Sequence, residues 1–214
     1  MATLTKETDA ASNSQTRGRP RDEVVRARIL KAALGLLEDT GLVNATADAI
    51  AERAGASKAT IYRWWPNKAA VFIEALREAT ALELPFPDTG DLRQDVHLQL
   101  RNFVKLLTGP RGRIFRAFIA AAQSDSEMAD AFRKLWIEPR RAQTKAVLER
   151  HQRESRLAPD VDLEVFIDLL YGPFYFRLMA SHRPLTPAFA ETTADLALGQ
   201  LAQKTTKASS SPIG

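Results

Sequence analysis

The 214-residue sequence contains no cysteine, which excludes disulfides, thiolate metal sites and cysteine nucleophiles. Long apolar runs are also missing. The longest, L-L-Y-G-P-F-Y-F at 169–176, is far shorter than the ~20 residues a membrane-spanning helix needs. β-Branched alternation is absent, so nothing reads as a strand. There is no phosphate-binding G-x-x-x-x-G-K-S/T loop, H-E-x-x-H, G-x-S-x-G or glycine-rich dinucleotide turn, so an enzyme is not expected. A D-T-G triplet at 88–90 echoes aspartic proteases but stands alone in a helical context and reads as a turn. His97, His151 and His182 are scattered; no metal, cofactor or catalytic role is expected of them. The polar N-terminus lacks the apolar core of a signal peptide, so a cytoplasmic protein is expected, with no membrane partner.

What is present is an ordinary globular composition, 45% hydrophobic and 26% charged, with a formal net charge of +4 placed unevenly. Between Gln15 and Lys31, six bases stand against Asp22 and Glu23. Between Arg53 and Lys68, Arg53, Lys58, Arg63 and Lys68 occur with no acid. Two basic clusters in the first third of the chain point to an anionic partner there.

The pattern predicts an all-α protein. Residues 1–20 are expected to form a disordered basic arm and 205–214 a disordered tail. A first helix is expected from Asp22 to Asp39, with Gly41 as its C-terminal cap, and short helices from Thr46 to Arg53 and from Ser57 to just before Pro66. A fourth, capped by Asn67, is expected to run to about Leu82. Beyond the break E-L-P-F-P-D-T-G (83–90), longer helices are expected near 91–107, 112–122, 126–150, 161–181 and 187–203. Residues 21–68 thus read as a three-helix unit, and 69–204 as a larger bundle reached through a connecting helix.

Within the small unit, Ala51, Gly55 and Ile61 have the spacing of a helix-turn-helix. A small residue permits close helix approach, a glycine supplies the positive-φ turn, and an apolar residue seals the second helix. Ile50, Ile61 and Trp65 are placed to fill the core between the helices, and Ser57 sits where an N-cap belongs. The same Ala-x-x-x-Gly spacing also occurs in plain helical hairpins. The second helix of a helix-turn-helix enters the major groove. With Ile61 inward, Ala59, Thr60 and Arg63 point away, and Arg63 suits the guanine acceptors. Thr60 suits a thymine methyl or a phosphate. Lys58, Tyr62 and Lys68 read as phosphate contacts. Neighbouring helical residues lie about 100° apart, which turns Trp65 inward and leaves Trp64 on the flank, near the DNA backbone. Ahead of the first helix, T-R-G-R-P-R (16–21) carries Arg17, Arg19 and Arg21 and is similar to an AT-hook core, a segment that lies in A·T-rich minor grooves.

The segment A-T-A-D-A-I-A-E-R-A-G-A-S-K-A-T-I-Y-R-W-W-P-N-K (45–68) resembles the DNA-binding domain of the TetR (tetracycline repressor) family. A-E-R-A-G-x-S, T-I-Y and N-K occur in it together. Y-G-P-F-Y-F-R-L (171–178) and P-L-T-P-A-F-A (184–190) are similar to one group of TetR C-terminal domains. The resemblance implies a transcriptional regulator, usually a homodimeric repressor joined through its last two long helices. It also implies an operator of two half-sites, and a small-molecule effector that shifts the spacing of the reading heads. Carried over to this chain, Thr46 caps the second helix and touches a phosphate. Lys58, Thr60, Tyr62, Arg63 and Lys68 face DNA, and the Trp64 indole N–H is free to donate to the backbone. Asp48 and Ala49 depart from the pattern: the acid stands one place early, where it repels phosphate unless it caps the helix.

Phe103, Leu107, Phe115, Phe118, Phe132, Trp136 and Phe174 are candidates for lining an effector pocket, which with this inventory would suit an apolar or aromatic ligand. At helical spacing such residues more often form core. The alternative function is a non-specific architectural DNA binder using the arm and basic helices, which leaves the C-terminal bundle without a role.

Overall fold

Side-chain caps set most of the helix starts. In the computed structural model, which describes residues 19–81 and 84–208 with side chains placed for 22–81 and 84–199, Thr46, Ser57 and Asn67 accept from the amides of Ala49, Thr60 and Ala70 at 3.1, 3.1 and 2.9 Å. Asp91, Asp125 and Asp162 do the same further along. Each cap satisfies an amide that has no partner in its own helix.

The helices that follow are α1 (Arg19–Asn44), α2 (Ala47–Ala54), α3 (Lys58–Trp64) and α4 (Lys68–Thr80). The second group is α5 (Leu92–Thr108), α6 (Gly112–Ala122), α7 (Ser126–Phe132), α8 (Glu138–Arg153), α9 (Leu163–Ala180) and α10 (Pro187–Ala208). No strand occurs among the described residues. The expected boundaries differ most at three places. First, α1 takes in Arg19 and Pro20, because proline is tolerated in a first turn; it kinks at Gly41 (φ 75°, ψ 170°) rather than stopping there. Residues 1–18 of the expected arm lie outside the described residues. Second, α10 runs through 205–208 of the expected tail, whose remainder, 209–214, also lies outside them. Third, the single helix expected over 126–150 is interrupted by a wide turn at Arg133–Ile137, in which the Glu138 amide reaches back five residues to the Arg133 carbonyl. Pro139, which has no N–H to give, follows directly.

One continuous apolar core runs from Ile29 in α1 to Leu198 in α10. α4 packs on both α1 and α7 and so belongs to both halves. α10 packs along α5, where Glu191 and Asp195 receive Arg101 and Arg93 at 2.8 and 2.7 Å. The D-T-G loop is a fastening for the start of α5: the Thr89 amide and hydroxyl donate to buried Asp95 at 2.8 and 2.7 Å, and Arg150 pairs with Asp88.

Candidate nucleic-acid interface and the cavity behind it

The turn between α2 and α3 depends on Gly55, whose φ of 59° and ψ of 45° lie in the left-handed region. Its amide donates to Glu52 O at 3.1 Å, and the Ala56 amide donates to Ala51 O at 2.9 Å. A side chain at this φ costs about 1 kcal/mol or more. Ile50, Ile61 and Trp65 are buried beneath the turn, with Ala51 half-buried between the helices.

Lys58, Ala59, Tyr62 and Arg63 of α3 are exposed, as are Thr46 and Lys68 beside it. Thr60 is half-buried, its hydroxyl 2.9 Å from that of Ser57. Both cations of α3 are paired: Lys58 with Asp48 at 2.8 Å and Arg63 with Asp22 at 3.0 Å. The Asp48 bond holds the Lys58 ammonium above its ordinary pKa. Asp48 therefore neither caps α2, which Thr46 does, nor stands as an unpaired charge. Arg19 and Arg21 lie in α1 with their side chains not described, and Arg17 lies outside the described residues.

The two tryptophans differ from expectation. α3 ends at Trp64, and Trp65 is extended (φ −128°, ψ 133°), so the helical spacing that separates neighbours no longer applies. Both rings turn toward the body of the domain, their centroids 6.3 Å apart. Trp65 is buried and donates through Nε1 to Glu74 of α4, which also receives Arg26 of α1. Trp64 is half-buried against the core, and Arg63 lies 5.8 Å from its ring. Its Nε1 is enclosed without a hydrogen-bond partner, so it does not face outward as a donor to phosphate.

At its other end, α4 meets a cavity. A space of about 290 Å³ opens between α5, α8 and α9, lined by Leu84, Phe103, Trp136, Arg140, Tyr171 and Tyr175 among others. Arg140 donates to the Leu84 carbonyl at 2.9 Å and to the Thr80 hydroxyl, at the end of α4, at 3.3 Å. Phe103 meets Tyr171 and Tyr175 at 5.4 and 5.7 Å. Burial pushes the Tyr175 phenol up to about 12. Of the seven residues expected to line a pocket, Phe103 and Trp136 do so. Leu107, Phe115, Phe118, Phe132 and Phe174 are core, because the aromatics pack on one another; Phe115, for example, lies edge-on to Trp136 at 4.5 Å. Gln99, Arg140, Tyr171 and Tyr175 escaped sequence reasoning. The only signal for the tyrosines was the Y-G-P-F-Y run. Arg140 sits in a helix that reads as polar all round.

Among the described residues no cluster of His, Asp or Glu suits a metal ion, and no helix is long and apolar enough to cross a membrane.

Comparison with known proteins gives a consistent result. Residues 29–75 match the family described as bacterial regulatory proteins, tetR family, and residues 86–197 match the tetracyclin repressor-like C-terminal domain. The chain is 44% identical over 163 residues to the HTH-type transcriptional regulator YdeS of Bacillus subtilis (strain 168), covering 76% of this chain and 82% of that one. It is 30% identical over 177 residues to a DNA-binding transcriptional repressor TetR of Mycobacteroides abscessus, covering 82% and 92%. A solved TetR family transcription regulator, SCO0332, superposes with a TM-score of 0.74 at 38% identity over 82% of this chain and 97% of that one.

Proposed function

The chain belongs to the TetR family and is a DNA-binding transcriptional regulator; from that premise we propose that it is a dimeric repressor, released from a two-half-site operator when a small molecule enters the α5–α8–α9 cavity. Arg63 reads a base in the major groove, beside Ala59 and Thr60. Thr46, Lys58, Tyr62 and Lys68 hold phosphates, and Arg17, Arg19 and Arg21 follow the minor groove. The regulator works in the cytoplasm, where its DNA is, and the reading assigns it no reaction.

The observation that carries the proposal is that α4 is fastened at its middle and at its C-terminal end. Glu74 binds Trp65 and Arg26 in the reading head, while Thr80 and Leu84 accept from Arg140 in the cavity wall. A change at Arg140 therefore reaches the support of α3 through one rigid helix, which is the differential contact that coupling between two sites requires.

Dimerisation through α9 and α10 is supported by an uncovered apolar stripe. Val165, Leu169, Phe176 and Met179 fall within about 80° of one another around α9, and Phe176 is 64% exposed, with Leu196 of α10 65% exposed. Exposed apolar groups aligned in this way mark an interaction face.

The test is a titration of the full chain against the DNA upstream of its own gene and against random duplex of equal length, at several salt concentrations. The expected result is a complex of two chains, or pairs of two, on the upstream DNA, bound at least about 10³-fold more tightly than random duplex. Equal affinity for both, falling steeply with salt, would leave the non-specific architectural reading instead.

A further inference from the structure

The cavity wall holds one positive charge whose bonds all go to neutral groups. Arg140 donates to a carbonyl and a hydroxyl, its Cζ lies 4.0 Å from the centre of the Trp136 ring, and its Nε is enclosed without a partner. Among the described residues no carboxylate lies within ion-pair distance of it. The contrast is the next residue: Arg141, at the mouth, is bound by Glu164 at 2.5 Å and by Asp168. Burial lowers the Arg140 pKa from its ordinary value; an arginine nevertheless keeps its proton. Gln99 adds a second unmet group: its amide N donates to the Tyr171 hydroxyl at 3.0 Å while its buried Oε1 accepts nothing. Arg140 is half-buried without a counter-charge, and the buried Gln99 acceptor without a donor costs about 1–3 kcal/mol.

We propose that the cavity takes a small carboxylic acid with a flat apolar body, its carboxylate bound by Arg140 and its body held among Phe103, Trp136, Tyr171 and Tyr175. This deepens, and rests on, the reading of the cavity as the effector site. A guanidinium matches a carboxylate two bonds to two. A doubly charged phosphate would call for a second free cation, and Arg141 is already bound by two acids. At about 290 Å³ the cavity lies at the low end of ligand sites, which begin near ~300 Å³, so one ring fits better than a fused set. The unmet Gln99 oxygen favours a ligand that also carries a hydroxyl or amino donor. An acid bound to Arg140 draws its donors away from Thr80 and Leu84, loosening the far end of α4.

The test uses the full chain with benzoate and the three hydroxybenzoates as probes, each beside its neutral amide, with phenyl phosphate as a further arm. Binding is read by calorimetry and by Trp fluorescence, and retention of upstream DNA by anisotropy. We expect at least one acid to bind at least about 10-fold more tightly than its amide, as a charged hydrogen-bonded pair requires, and more tightly than phenyl phosphate. Arg140→Met should remove that preference. Acid and amide binding equally in the unaltered chain, phenyl phosphate binding best, or no acid binding at all would each overturn the proposal, whether or not the variant folds. Arg140-dependent acid binding that leaves the DNA complex intact would support the carboxylate site and overturn only the release mechanism.

Discussion

Arg63, the arginine proposed to read a base, is held by Asp22, 3.0 Å away in the first turn of α1 and 41 residues distant in sequence. The reading helix is therefore not a bare cationic face. Its two cations each carry an acid from a neighbouring helix, and DNA bound as proposed would displace both.

Asp22→Asn should free Arg63 and strengthen operator binding by a few-fold, since an exposed pair of this kind contributes about 0.2–1 kcal/mol. Arg63→Ala should weaken it by about 1–3 kcal/mol and relax preference at one base pair. Anisotropy titrations on operator and single-base variants check both. Equal loss on random duplex would reduce Arg63 to a phosphate contact.

Glu74→Ala should lower thermal stability by about 1–3 kcal/mol, because it leaves the buried Trp65 N–H without its acceptor and Arg26 with Glu78 as its one remaining acid. Operator affinity should fall with it, even though Glu74 faces no DNA. A variant that melts earlier but binds operator as before would detach α4 from the reading head.

The parts of the site that were legible in the sequence are those set by neighbours a few residues apart. Thr46, Ser57 and Asn67 announce their helices because each cap bonds an amide three residues on, and Ala51 with Gly55 fixes the turn. Trp64 packs inward because it stands three residues after buried Ile61, on the same side of α3, while Trp65 leaves the helix and still turns inward. Arg140 was invisible for a different reason: its meaning comes from Thr80, Leu84 and a wide turn in the preceding helix, none of which leaves a local pattern. The Asp22–Arg63 and Asp48–Lys58 pairs likewise depend on how helices are stacked rather than on spacing.

Gly112→Ala should destabilise the C-terminal half by about 1–3 kcal/mol or more. A Cβ at this position would fall 1.8 Å from the Leu107 carbonyl oxygen, which is backbone and cannot turn aside. Chemical denaturation measures the loss; unchanged stability would mean that the α5–α6 corner opens freely.

Leu169→Asp combined with Phe176→Asp should give a folded monomer by sedimentation, because both side chains lie on the uncovered stripe of α9 and neither is core. The monomer should keep its helical content and lose at least about 10²-fold in operator affinity, since only one half-site is then gripped. A variant that remains dimeric would place the interface elsewhere.

The coupling of reading head to cavity through α4 is tested most directly by hydrogen–deuterium exchange of the full chain with and without its operator. The account predicts that operator changes protection in α3 and also at the end of α4 and across Trp136–Arg140, where no DNA reaches. Changes confined to residues 19–68 would contradict it.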